Sequence, residues 1–581
     1  MVGSRVGGDL KGKLAEWEAE MSDGVAMQAR FVPQRQLVKR TPSLPRTTAL
    51  AWGAAVVLVV ILVYAQTLRF PFFPFWDDDI HVHSNPHIAN LSWSSIGALW
   101  SGPWQQLYIP LTYTVWAALA LISRTVSGEP LAGGALNAAW FHGANVLLHS
   151  LAAAMVFLLL RRVLEKFAPS STPGRVAAAA ALGAAFFALH PLQVEPVAWV
   201  SGLRDVLGGC LGIAALAVLF ARDEPGVARC LAAGLLFLAS LAAKPAGVAL
   251  PLIAAILAIQ PFRWPVRRMF LVLGPWLLAA AGWVVLTSNA QSAADLARGL
   301  VPAWMRPFVA GDALAFYLGK AFWPAWLSAD YGRSPDRILA TGAIWWTWLG
   351  PAALVAALTI FRPLRPYLVP AAVFGAALLP TLGLVPFNFQ VVSTVADRYA
   401  YVALLGPAMA LGLVLVRGVS WRPVAAASAV VAALAALTLL RLPLWSEDLR
   451  LFAATVEVNP RSWKALHNYA SALDDRGRTA EALPLMREVV ARRPDGSEGH
   501  NDLAVMLWKL GQHSEAVESM RHSLAVRPTP SSARNLVQMQ SQLGSMDGLI
   551  EALRILVELE PENVEAERTL TQLRAQREAA R

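Results

Sequence analysis

Between residues 48 and 440 one long apolar run follows another, and no other feature of the chain limits its fold as strongly. A run of about 20 apolar residues, wound as a helix, is long enough to cross roughly 30 Å of hydrocarbon. No aqueous core hides so many of them. Charged residues make up only 15 % of the sequence, well below the roughly one quarter usual in soluble domains. They gather in the flanks, 1–47 and 441–581. The net charge of +10 comes largely from arginines at the ends of the apolar runs, so it calls for no nucleic-acid partner. Cys210 and Cys230 both lie inside apolar runs and read as small buried hydrophobes. The first 47 residues are polar and basic, so the first run is expected to act as an uncleaved anchor with a cytoplasmic N-terminal segment.

The runs predict eleven spans, at 48–68, 141–160, 176–190, 205–221, 230–244, 246–260, 269–287, 341–360, 366–384, 399–416 and 423–440. With the N-terminus inside, the inner connections hold Arg161, Arg162, Lys166 and Arg175; Arg222 and Arg229; Arg263, Arg267 and Arg268; Arg362 and Arg365; and Arg417 and Arg422. Each inner loop thus carries at least two basic residues, as the positive-inside rule requires. The short apolar stretch 111–122 opens after Pro110 and would invert this order as a twelfth span, so it reads as a helix at the outer interface. Long outer loops then cover 69–140 and 288–340, and the C-terminus lies outside.

Beyond the last run, Asn459-Pro460, Arg493-Pro494 and Arg527-Pro528 recur every 34 residues, with a weaker copy at Glu560-Pro561. Ala470, Gly477 and Ala482 reappear one period later as Ala504, Gly511 and Ala516, where two antiparallel helices must cross closely or turn. This is the period of the tetratricopeptide helix–turn–helix. It predicts a domain over 446–581 with repeats near 461–494, 495–528 and 529–561. Such solenoids bind polypeptides and are seldom catalytic.

Three groups of residues have the makings of chemistry. Asp77, Asp78 and Asp79 follow Trp76 just outside the first span, either as a solvated acidic turn or as a partly desolvated general base or metal ligand. His190, Glu195, Arg204 and Asp205 crowd the next outer loop, beyond what helix anchoring needs. Lys244 and Asp397-Arg398-Tyr399 sit at two further outer ends, where a cation is costly unless paired or bound to an anion. Acids and cations on one face suit a lipid phosphate held by Lys or Arg, with a carboxylate activating a second substrate. His142 and His149, seven apart on one span, fit helix packing better than metal binding.

Taken in order, Phe75-Trp76-Asp77-Asp78 with Asn85, Pro110-Leu111-Thr112, Phe141-His142 to His149, His190-Pro191 with Glu195 and Val197-Ala198-Trp199, Arg204-Asp205, Lys244 and Ala396-Asp397-Arg398-Tyr399 make the chain similar to a known family. It resembles the transmembrane and tetratricopeptide-repeat O-mannosyltransferases and their bacterial relatives, of the C-type glycosyltransferase superfamily. Ile109 stands where that family usually has Arg, and Asp397 where it usually has Glu.

The resemblance implies an all-α chain: a polytopic membrane domain over 48–440 with a C-type glycosyltransferase-like fold, then the α-solenoid. It implies transfer of a mannose-like sugar from a polyprenyl-phosphate carrier in the lipid bilayer to a protein hydroxyl or other acceptor on the outer face. Asp78, with Asp77 beside it, would take the acceptor's proton in an inverting displacement. Arg398 and Lys244 would hold the carrier phosphate, and Glu195, Asp205, His190 and Arg204 would bind sugar or acceptor. The repeats would present a polypeptide acceptor. No cofactor is assigned, and a divalent metal is left open without support. The expected setting is a bacterial inner membrane, with the repeats periplasmic. The rival reading is a non-enzymatic, membrane-anchored repeat scaffold, in which the loop carboxylates are dispensable.

Overall fold

The described residues wind mostly into helices, and capping residues mark where several of them begin. The computed structural model describes residues 46–73, 76–130, 133–290, 301–418 and 420–579. The basic segment 1–45, and Phe75 of the aromatic–aspartate motif, lie outside the described residues. Asn137 caps the 30-residue helix Ala138–Phe167 by accepting the N–H of Ala139. Thr172 caps Pro173–Leu189, with Pro173 in the first turn where its missing N–H costs nothing. Among the described residues the β-type contact is an isolated bridge between Trp104 and Leu107.

Seven helices are long and apolar enough to cross a membrane, and the bent pair Pro173–Leu189 and Pro191–Ala198 adds an eighth if counted as one span. Three further apolar helices, Val227–Ala243, Pro245–Ile259 and Leu405–Arg417, are shorter. Every one of the eleven expected runs coincides with one of these helices. These are the proportions of a multi-pass membrane protein. The stretch 111–122 lies within a longer helix, Pro110–Ser127, which buries Tyr113, Trp116 and Arg124 along one face. Arg124 donates to the carbonyls of Ile88, Ala89 and Gly134, tying the first long loop to it.

Small residues let the helices approach. A Cβ on Gly183 would lie 2.8 Å from the carbonyl oxygen of Ala408 and 2.7 Å from a Leu160 methyl, so the helices Pro173–Leu189 and Leu405–Arg417 cross there only because position 183 has no side chain.

The two ends of the bundle differ in chemistry. At one end the basic connections meet one another: Arg162 donates to Asp223 at 3.0 Å, Arg268 to Glu224 at 3.0 Å, and Arg175 to the Leu415 carbonyl at 3.2 Å. The opposite end gathers Asp77, Glu195, Asp205, Lys244, Arg398 and Arg441.

After the last apolar helix come Asp448–Val458 and three helix pairs: Trp463–Asp475 with Thr479–Arg492, Ser497–Lys509 with His513–Val526, and Pro530–Gln542 with Met546–Leu559. Gly477, Gly511 and Gly544 turn between partners at φ of 73°, 78° and 66°, a region that a Cβ disfavours. Ala470, Ala482, Ala504 and Ala516 are fully buried at the crossings.

This solenoid is fastened to the acidic end of the bundle. Trp76 stacks on Trp199 at 4.4 Å between ring centroids, with Trp445 at 6.1 Å and Phe452 at 5.5 Å from the same ring. Ser462 donates to Asp330, and Arg337 to Asn459 at 3.0 Å. The indole beside Asp77 is therefore also the surface on which the repeats are seated.

Candidate functional site

Four acid–cation pairs assemble at that end, each joining segments distant in sequence. Arg204 donates to Asp77 at 2.6 Å, Lys244 to Asp205, Arg398 to Glu195, and Arg441 to Asp397 at 3.1 Å. The chain turns that place them are local. His190-Pro191 stops one helix and bends the path by 51°, which starts Val194–Ala198 and buries Glu195. Arg204 and Asp205 open the helix Leu203–Leu219, where a carboxylate faces the positive end of the helix dipole. Lys244 ends Val227–Ala243, and Arg398 lies in the turn Asp397–Ala400.

Aromatic rings bind the cations together. Trp199 lies 5.3 Å below the Arg204 guanidinium and 5.8 Å below that of Arg398. Arg398 also covers Phe389 at 4.6 Å and Tyr399 at 5.0 Å, and Lys244 approaches Tyr399 at 5.4 Å. Three cations and three rings, Trp199, Phe389 and Tyr399, thus pack together at this end.

The two leading aspartates have different surroundings. Asp78 is buried, and both its oxygens are engaged: one accepts the N–H and the hydroxyl of Ser201 at 2.9 and 2.6 Å, the other the N–H of Phe73 at 3.1 Å. Burial pushes its carboxyl up to about 6, against the pull of those three hydrogen bonds. Asp77 keeps 27 % of its side chain exposed. Burial raises its carboxyl too, but Arg204, His81 and Arg398 outweigh that and hold it below the ordinary aspartate range. Asp79, the third of the run, accepts the Ser84 hydroxyl at 2.8 Å. Of the two leading aspartates the accessible one is therefore Asp77, and Asp78 is a clamp between the first loop and the Ser201 turn.

Two more acids keep an oxygen in reserve. Glu195 Oε2 and Asp205 Oδ2 are buried with no hydrogen-bond partner among the described residues, though Arg204 Nε stands 3.8 Å from the latter, and such oxygens are costly unless a donor is supplied. Asp205, Lys244, Arg398 and Tyr399 line a narrow crevice of about 40 Å³, together with Ser240, Thr381 and apolar side chains that include Leu250, Ile253 and Ala377. Gly208 and Gly209 form its back. A Cβ at 208 would stand 2.9 Å from the Lys244 side chain, and one at 209 would stand 2.4 Å from the Tyr401 ring.

His190 does not face this site. Its Nδ1 accepts the Leu192 N–H at 3.2 Å and its Nε2 meets the Ala321 carbonyl at 3.2 Å, so it holds the bend that presents Glu195. His149 packs between Tyr401 and the Ala188 carbonyl, each at 3.0 Å, in keeping with a helix-packing role. Among the described residues no group of three His, Cys, Asp or Glu side chains is arranged to hold a metal. Sequence reasoning missed Ser201, which anchors Asp78, and Arg441, which neutralises Asp397. Neither stands in a charged cluster, and no local signal marks them.

The tetratricopeptide repeat family matches residues 449–496 and 468–533, over the first two helix pairs of the solenoid. A search among curated proteins found no match. The repeats make a polypeptide partner the natural expectation for this part of the chain.

Proposed function

We propose that the chain is an integral membrane glycosyltransferase that moves a mannose-like sugar from a polyprenyl-phosphate carrier to a hydroxyl of a polypeptide on the outer face of the membrane. The observation that carries this reading is the meeting of an accessible carboxylate, Asp77, with Arg204, Lys244 and Arg398 beside a crevice whose lining divides into charged and apolar side chains. A polyprenyl phosphate has that same division between charged head and hydrocarbon tail. In this reading the fold is of the C-type glycosyltransferase class, with eleven spans in a bacterial inner membrane, the N-terminus cytoplasmic and the repeats periplasmic.

The chemistry is a single displacement. The acceptor oxygen attacks the sugar's anomeric carbon, its proton passes to Asp77, and the bond from that carbon to the phosphate oxygen breaks. Polyprenyl phosphate leaves with its added negative charge facing Arg398 and Lys244. Glu195 Oε2 and Asp205 Oδ2 are the acceptors left to receive sugar hydroxyls. Lys244 donates to Asp205, so a carrier phosphate held by this ammonium competes with that carboxylate. Lys244→Met should therefore raise the KM for the lipid donor about tenfold or more and change the KM for the acceptor little, measured with labelled polyprenyl-phosphate mannose and a Ser/Thr peptide. An unchanged donor KM would remove Lys244 from the phosphate site.

Membranes offered several labelled lipid-linked sugars test the activity itself; no transfer from any of them rules the reading out. A reporter active only in the cytoplasm, fused after Arg581, tests the orientation. Its activity there would separate the repeats from the proposed site's compartment. The family match over 449–533 also favours a second reading, a membrane-anchored scaffold. A scaffold keeps its function when Asp77 and Lys244 are replaced.

A further inference from the structure

Away from the crevice, Gln106 of the first outer loop, Asn388, Val391 and Val392 of the last, 385–398, and the first two repeats line an open groove of about 710 Å³. Gln106, Val392, Trp463, Lys464, Arg493 and Arg527 are among its walls. Its floor is a seam: the Asn388 amide donates to Gln106 Oε1 at 2.5 Å, joining the first outer loop to the last. Gln105 and Gln106 form the tip of a two-residue turn between Trp104 and Leu107, whose N–H and carbonyl groups pair reciprocally at 3.0 and 2.9 Å. Both glutamines stand at positive φ, 46° and 66°. That conformation is ordinarily left to Gly, Asn or Asp, and strain of this kind is found where a site requires it. It sets a side-chain amide, at once donor and acceptor, on the floor of the groove.

The repeat-side wall is cationic and aromatic. The Arg493 guanidinium lies 4.2 Å from the Trp463 ring centroid and the Lys464 ammonium 5.7 Å from it. Asp495 stands 3.9 Å from Arg493, and Glu498 also lies on the wall. Lys464 and Arg527 have no acidic partner among the described residues, and with Arg493 they outnumber Asp495 and Glu498 on the lining, which leaves it with positive charge in excess. It also adjoins the proposed catalytic site. The turn Asn388–Val391 that forms the floor carries Phe389, whose ring lies 4.6 Å from the Arg398 guanidinium.

We propose that this groove binds an extended, acidic polypeptide segment, with the Gln106 amide meeting its backbone and the Trp463, Lys464, Arg493 and Arg527 wall receiving its carboxylates. As the route by which an acceptor hydroxyl reaches Asp77, the proposal rests on the transferase reading; as a peptide site it does not. One experiment separates the two. The purified full chain carries the photocrosslinking residue p-benzoylphenylalanine in place of Val392 and is offered fluorescent peptides of repeating Glu-Ser-Gly or Lys-Ser-Gly. Light-dependent capture should favour the Glu peptide by about tenfold. Combining Arg493→Glu with Arg527→Glu should abolish that preference, and Asp77→Asn should leave it intact. Equal capture of both peptides, or capture indifferent to the charge reversal, overturns the groove. Capture of the Glu peptide without sugar transfer from any lipid donor upholds the groove and sinks the transferase. Sugar transfer to the Glu peptide with no capture at position 392 does the reverse.

Discussion

Asp77→Asn is expected to lower sugar transfer by about two to four orders of magnitude while leaving the fold and the KM for the lipid donor nearly unchanged. A positioned general base contributes an effect of that size, and asparagine keeps the shape of the side chain while losing its ability to take a proton. Asp77 is partly exposed and gives one oxygen to Arg204 at 2.6 Å, so the other oxygen is available. Asp78 has the carboxyl nearer to neutral, pushed up to about 6 by burial, and on basicity alone it would be the better base. Geometry overrides basicity here, because its oxygens are occupied by Ser201 and Phe73. Asp78→Asn would turn an amide donor toward one of these donors, so its expected effect is a loss of stability, read as a lowered thermal midpoint. The pH profile discriminates further. Asp77 is held below the usual carboxylate range by Arg204, His81 and Arg398 against the effect of burial. It is therefore ionised throughout pH 5 to 8, and transfer should show no acid limb in that interval on its account; activity falls only as pH drops through the lowered value. A variant that transfers sugar at the parent rate, or a steep loss between pH 7 and 6 that Asp77→Asn removes, would take the base role from Asp77.

The architecture was legible because it is written in periods. Runs of about 20 apolar residues and a repeat of 34 are long signals that one local exception does not erase. The candidate site was legible only as a set. Asp77, Glu195, Asp205, Lys244 and Arg398 announce themselves because charge near hydrocarbon is costly and demands a reason. The sequence does not reveal how they pair. Arg204 neighbours Asp205 in the chain and stands 3.8 Å from it, yet its hydrogen bond goes to Asp77, and the hydrogen bond to Asp205 comes from Lys244. Choosing between Asp77 and Asp78 was equally out of reach, since the difference rests on Ser201, a single serine over a hundred residues away. His190 shows the opposite error. A histidine in a polar cluster reads as a ligand, but one between a helix end and a proline has backbone groups within reach, and these take both its nitrogens. Trp445 and Phe452 lie outside every motif, and still they seat the repeats on Trp76, next to the proposed base.

The pair Glu195–Arg398 allows structure and chemistry to be separated. Both side chains are buried, at 0 % and 7 % exposure, and each is the other's charged partner. Removing either should cost about 3–5 kcal/mol, because the remaining ion stays desolvated without a countercharge. Arg398 is the less dependent of the two, since Phe389, Trp199 and Tyr399 still surround its guanidinium when Glu195 is gone. Arg398→Met should therefore destabilise more than Glu195→Gln. Replacing both, Arg398→Met with Glu195→Leu, removes the unpaired charge and exchanges the ion pair for packed apolar volume, which is often neutral or stabilising. The double variant is thus expected to recover most of the stability lost by the worse single variant, read as the thermal midpoint of the solubilised chain. A purely structural salt bridge would return its function along with its stability. On the transferase reading the double variant stays inactive despite its recovered fold, because no guanidinium remains to receive the leaving phosphate and no Glu195 oxygen remains for the sugar. Transfer at the parent rate by a well-folded double variant would leave this pair a structural element alone and move the phosphate site elsewhere on the outer face.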